Sequence, residues 1–235
     1  MPLASSEPAY KQVADSIRRS ILDGTLEPGH RLPVEPDLAE HHGVSRSTIR
    51  EALRSLASEH LVVTLRGVGG GTFVTHPEPE HISQSFVTTL GLLTSTDEIS
   101  VSELLEAREL LEVPACGLAA QRRTAQQLAE IKELLETGPR DSFGFENRKD
   151  FHLVIVGCTR NQLLALMTEP LFAVLQNRFL RDRAPAKFWE RVGVEHRAIY
   201  AAIAAGDRVT AEYEMREHLH HLRQTYEQID RRELR

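Results

Sequence analysis

Two rhythms of apolar and polar positions run along this chain. From residue 8 to 22, Val13, Ile17 and Ile21 recur in steps of four with Tyr10 and Ala14 alongside, which predicts a helix stopped by Gly24 and the Pro28–Gly29 turn. A short helix, Asp37 to His42, is expected after Pro33 and Pro36, and Gly43 breaks it. Ser45 then stands in a capping position before a helix from Arg46 to Glu59, whose buried face is Ile49, Leu53 and Leu56. The period next shortens: Val62, Val63 and Leu65 read as one strand and Thr72, Phe73 and Val74 as a second, with glycines at the hairpin tip.

From residue 101 onward the period is helical throughout, with segments near 101–122, 124–136, 143–158, 161–182, 187–205 and 207–230. Gly138-Pro139, Gly157, Pro185 and Gly206 supply the breaks. Between the two regions, Pro77 and Pro79 stiffen a linker over 77–100, in which SQSFVTTLGLLTS forms one short helix. The expected fold is mainly α. A winged helix-turn-helix with a small β-wing occupies 1–76, and an all-α helical bundle occupies 101–235.

Arg46, Arg50 and Arg54 lie four residues apart and form a ridge on the second helix of the helix-turn-helix. Ser45, Ser47 and Thr48 sit at its N-terminal end, where free N–H groups and the helix dipole suit a phosphate. Arginine also grips the O6/N7 edge of guanine. A solvated face, with Arg50 or Arg54 paired to Glu51 or Glu59, is the plainer alternative for the ridge alone. The Gly turn, the preceding helix and the capped start together favour double-stranded DNA. The glycine run VGGGT lacks G-x-x-x-x-G-K-[ST] and no helix opens after it, so it is a wing tip and not a nucleotide loop.

The net charge of −6 argues against nucleic acid only as a whole-chain average, and the basic ridge is local. Cys116 and Cys158 lie far apart, which excludes a disulfide framework and suits a reducing cytoplasm. The start MPLASSEPAYKQ is no signal peptide, and no apolar run is long enough to span a bilayer. No membrane role is expected.

Several polar residues of the bundle fall on apolar faces. Arg108 completes the seam of Leu104, Leu111, Ala115 and Leu118, where it either pairs with a carboxylate such as Glu112 or clamps an anionic ligand. His218 shares a face with Ala211, Met215, Leu219, Leu222, Tyr226 and Ile229, while His220 points away and His221 lies on the flank. His196 completes the face of Val192, Ile199 and Ile203, and His152 lies beside Phe151, Val154, Ile155 and Cys158. Each histidine alone reads as a core residue with its own partner. One divalent ion would serve all three, and spacing leaves that choice open.

The stretches ILDGTLEPGHRLPVEPDLAEHHGVSRSTIREALRSLASEHLV and GGGTFV resemble the winged helix of the GntR family of bacterial transcriptional regulators, over about residues 8 to 76. The resemblance implies DNA contacts by Arg31, Ser45, Arg46, Ser47, Thr48 and Arg50, to which the ridge adds Arg54 and the wing adds Arg66 and Gly70. Where the family has Ser-Glu-Arg after Leu-Pro, this chain has Val34-Glu35-Pro36, and its wing lacks a basic residue among the glycines. The stretches EARELLEVPACGLAA, FHLVIVGCTRN and EHRAIYAAIAAGDRVTAEYEMREHL resemble the ligand-binding FCD domain of the FadR subgroup. That resemblance implies a divalent metal, zinc being the expected one, held by His152, His196 and His218, with a small organic acid bound to it. The family's fourth ligand, an Asp four residues before the first His, is Arg148 here. Arg108, Arg148 and Asn161 are the effector-binding candidates, and Arg108 with Arg148 could alternatively hold a carboxylate without metal.

These features predict a cytoplasmic homodimeric regulator, more simply a repressor than an activator, that binds operator DNA under control of a small carboxylate metabolite. The competing readings are a helical metalloenzyme using the histidines with an activated water, and a DNA-binding protein whose bundle only dimerises.

Overall fold

The computed structural model describes residues 7–76, 78–137, 151–178 and 186–233. The chain divides into two compact units between Glu78 and Pro79.

The first unit contains α1 (Ala9–Leu22), α2 (Glu35–His42), α3 (Arg46–Ser58), β1 (Val62–Leu65) and β2 (Gly71–Val74). Helix α1 turns Val13, Ala14 and Ile17 onto α3, whose Ile49, Ala52 and Leu56 form the centre of the core. Helix α2 starts two residues earlier than the pattern predicts, because Pro36 falls in the first turn, where its missing N–H breaks no helical bond. It ends at Gly43, whose left-handed φ of 64° turns the chain sharply toward α3. The Ser45 hydroxyl accepts the Thr48 N–H at 3.1 Å and caps α3. Strands β1 and β2 pair antiparallel, Val62 opposite Val74 and Leu65 opposite Gly71. The segment before α2 joins this hairpin: Leu32 N–H donates to Thr72 O and Val74 N–H donates to His30 O, both at 2.8 Å.

The second unit begins with α4 (Pro79–Ser95), which corrects the linker expected over 77–100. Pro79 lies at the helix start, where it is tolerated, and Phe86, Val87 and Leu90 give a face that packs with Leu171, Val174 and Leu175 of α8 (Gln162–Arg178). Ser83 Oγ donates to Glu169 Oε2 of α8 at 2.8 Å. The remaining described helices are α5 (Val101–Arg122), α6 (Ala125–Thr137), α7 (Phe151–Cys158), α9 (Ala186–Ala205) and α10 (Arg208–Glu233). A capping box of Ser100 and Glu103 opens α5. Pro114 lies on the exposed side of α5 and does not end it.

Helix α5 is central, packed against α10, α7, α8 and α9. Its inward stripe is rotated from the expected seam: Leu104 and Ala115 are buried, but Leu111 and Leu118 are only half-buried, while Leu105, Arg108, Glu112, Cys116 and Ala119 are buried. The core joins these to Ile131, Ile155, Ile199, Ile203 and Met215. Gly157 lies within α7, not at its end; Arg160, with φ 55°, makes the turn that follows. Both cysteines are buried free thiols, and burial pushes their pKa values up, Cys158 to about 11, so they are unreactive. The expected breaks at Gly138-Pro139 and Pro185 lie outside the described residues. No described helix is long and apolar enough to cross a membrane.

Candidate functional site

Two groups of candidate residues occupy separate units. In the first, Arg46, Arg50 and Arg54 are exposed along α3, as the four-residue spacing requires. The hydroxyls at its start form one cluster, with Ser45 Oγ 2.7 Å from Ser47 Oγ and 2.8 Å from Thr48 Oγ1. Neither alternative partner of the ridge is used. Glu59 binds Arg18 of α1, and Arg50 Nε donates instead to Glu35 Oε2 at 2.8 Å.

Arg31, expected to meet DNA, is exposed and also bonded to the wing. Its guanidinium donates through Nη2 to Gly70 O at 2.5 Å and lies beside the Phe73 ring, so it braces the wing. Gly71, with φ 155°, is needed beside it, since a Cβ there would lie 2.7 Å from Arg31 Nε. Arg66 is exposed at the hairpin end, and Val68 at the tip is fully exposed. Arg31 therefore acts on the surface that would meet DNA by fixing Gly70 in place.

In the second unit the three histidines converge from different helices. His152 comes from α7, His196 from α9 and His218 from α10. His218 Nε2 lies 3.3 Å from His152 Nε2 and 3.2 Å from His196 Nε2. One potential ligand atom from each ring falls within 4.8 Å of the others. Two nitrogens bound tetrahedrally to one zinc, at about 2.0–2.1 Å each, stand about 3.3–3.4 Å apart.

Carboxylates hold two of the rings from behind. His152 Nδ1–H donates to Glu112 Oε2 at 2.6 Å, and His218 Nδ1–H donates to Glu195 Oε2 at 2.8 Å. These bonds place each proton on Nδ1 and leave both Nε2 atoms as acceptors. Two acceptor nitrogens 3.3 Å apart repel unless a cation or an added proton lies between them. Burial holds His218 below its ordinary pKa, which disfavours the added proton. The donor set, with neutral rings and carboxylates on the far nitrogens, therefore fits a divalent metal. Phe151 stacks on His196 with centroids 3.9 Å apart, fixing the third ring.

Periodicity does not single out the carboxylates. Glu112 is 1% exposed and joins Arg108 to His152: Arg108 Nε donates to its Oε1, and its Oε2 accepts from His152 Nδ1–H. Burial holds the pKa of Glu112 above its ordinary value, and the Arg108 guanidinium offsets only part of that rise. Of the two sequence readings for Arg108, the structure shows the carboxylate pair, with the guanidinium 4.3 Å over the Phe172 ring. Glu195 accepts from His218, from His221 Nδ1 at 3.0 Å and from Arg191 Nε at 2.8 Å. Burial raises its pKa, but these donors outweigh it and hold Glu195 at about 2. His221, expected on the flank, is 9% exposed and tied to this site through Glu195. Asn161 is exposed and caps α8, its Oδ1 accepting the Leu164 N–H at 3.1 Å. Arg148 lies outside the described residues.

Comparison with known proteins assigns each unit to a described family. Residues 9–74 match the family described as bacterial regulatory proteins, gntR family, and residues 103–221 match the FCD domain. The HTH-type transcriptional regulator LutR of Bacillus subtilis (strain 168) is 35% identical over 211 residues, covering 85% of this chain and 92% of LutR. A protein of Escherichia coli (strain K12), provisionally named for regulation of an L-lactate dehydrogenase operon, is 32% identical over 226 residues, covering 93% of this chain and 86% of that one. Among solved structures, Streptococcus agalactiae GntR superposes with a TM-score of 0.58 at 27% identity, over 92% of this chain and 99% of that one. These relatives are regulators and not enzymes, which sets aside the metalloenzyme reading. The chain belongs to the GntR family of bacterial regulatory proteins, with an FCD domain after its winged helix, and is a DNA-binding transcriptional regulator.

Proposed function

We propose that this regulator senses a small hydroxycarboxylate through a divalent metal held by His152, His196 and His218, and that occupancy of this site changes its affinity for operator DNA. The observation that carries the reading is the pair of acceptor Nε2 atoms, His152 and His218, facing each other at 3.3 Å with both Nδ1 protons committed to Glu112 and Glu195. A metal bound there supplies a Lewis-acid centre to which a carboxylate can attach. Zinc suits three imidazoles with an open position. The name of one relative, the L-lactate dehydrogenase operon regulator, directs the choice of acids toward lactate and its close analogues.

The commitment of Arg108 to Glu112 supports the metal-dependent reading over a clamp made of arginines alone. Binding and release of operator by two copies of α3, about one helical turn apart, would make the protein a homodimer. Repression is the simpler control, since effector capture then needs only to weaken a DNA complex. The test is a thermal-shift screen of lactate, glycolate and dicarboxylates, with and without zinc and with chelator. A stabilising acid whose effect requires metal supports the proposal. Acid effects that survive the chelator unchanged, or no effect of any acid, count against it.

A further inference from the structure

Among the arginines of the α3 ridge, Arg50 is the one held by a carboxylate. Its Nε donates to Glu35 Oε2 at 2.8 Å, while among the described residues Arg46 and Arg54 have no carboxylate partner. An acidic side chain on a DNA-facing surface weakens non-specific binding, because it repels phosphate. Its placement there needs a reason other than affinity.

The backbone under Glu35 is rigid. Pro33 and Pro36 flank it, Val34 is extended at the N-cap of α2 with ψ 155°, and Leu32 is buried and bonded to Thr72 of the wing. Glu35 is the first residue of α2, so its carboxylate is presented from a fixed point. A guanidinium has one N–H on Nε and two on each Nη. With Nε occupied by Glu35, the group left to meet a base is the Nη1/Nη2 end, which matches the paired O6/N7 acceptors of guanine.

We infer that Glu35 is a specificity-determining positioning residue, which grips Arg50 from the side and directs its paired Nη groups at a guanine in the operator major groove. Pro36 sharpens the assignment, because it stands where the family resemblance expects an arginine. Arg50 is left with a larger share of the base reading. The inference rests on α3 being the recognition helix.

The experiment selects bound duplexes from a randomised pool with the full-length wild type and with Glu35→Ala, Glu35→Gln and Arg50→Ala. Affinity for a single random-sequence duplex is measured alongside. A good bidentate pair is worth about 1–3 kcal/mol, or roughly 5- to 150-fold in discrimination. The wild type should enrich a guanine in each half-site, and Arg50→Ala should lose it. Glu35→Ala should lose the same guanine by about tenfold while binding the random duplex more tightly, and Glu35→Gln should keep part of the preference. A purely structural role would instead lower specific and random binding together. That result, or wild-type guanine frequency in Glu35→Ala, overturns the inference. Failure of the wild type to enrich any sequence would instead count against α3 as the recognition helix.

Discussion

Replacing Glu112 by Gln keeps the side chain's shape and removes its charge and one acceptor. In the wild type, the two carboxylate oxygens serve two donors, Arg108 Nε and His152 Nδ1. The amide has one oxygen. If that oxygen stays with Arg108, the NH2 group faces His152 Nδ1, and the ring must move its proton to Nε2. The proton then occupies the atom proposed to bind metal. Loss of such an outer partner lowers metal affinity about 10- to 100-fold, or about 1.4–2.7 kcal/mol. Arg108 is 3% exposed and loses its countercharge. Breaking one side of a buried pair costs about 3–5 kcal/mol, and the bond retained by Gln places this variant near the lower figure. At roughly 2–4 °C per kcal/mol, Tm should fall by about 6–12 °C. Zinc affinity measured against a chromophoric chelator, with calorimetry on the same sample, checks both numbers. A folded Glu112→Gln protein that binds zinc as tightly as wild type would refute the tautomer argument.

Arg46→Ala and Arg50→Ala should each weaken operator binding strongly, and removing a phosphate-binding cation at Arg46 should lower the salt slope by about one. Arg31→Ala should speed hydrogen exchange at Thr72 and Phe73 and weaken DNA binding, because the Gly70 carbonyl loses its donor; unchanged exchange would mean that Arg31 does not hold the wing. In metal-free protein, His218 is held below its ordinary 6.5 and Glu195 is held at about 2 against an ordinary 4.5. At both groups the unfolded chain binds more protons than the folded one, so stability present above those ordinary values is lost as pH falls. Tm should decline below about pH 6.5 and again below about pH 4.5, and a Tm that rises on acidification would contradict the assignment.

The parts of this molecule set by local chemistry are legible in its sequence. Gly43 and Ser45 mark the turn and cap of α3, and two short β-branched runs around a glycine tip mark the wing. Helical periodicity also turns His152, His196 and His218 inward, one per helix. Their convergence is not legible, since it depends on how α7, α9 and α10 pack. The pairing of Glu112 with Arg108 is readable one turn along α5, but its bond to His152, like that of Glu195 to His218, depends on the same packing. The bond of Arg31 to Gly70, 39 residues away, leaves no local signal in the sequence. The segment 77–100 reads as a linker because Pro77 and Pro79 outweigh the apolar face that α4 packs on α8.

Three imidazoles of the bundle are proposed to hold one divalent ion. Titrating chelator-treated protein with zinc tests it most directly, with His152→Ala, His196→Ala and His218→Ala measured beside the wild type. The wild type should take up about one tight equivalent per chain and each variant should lose it. A wild-type chain that binds no zinc, or variants that bind it undiminished, would contradict the account.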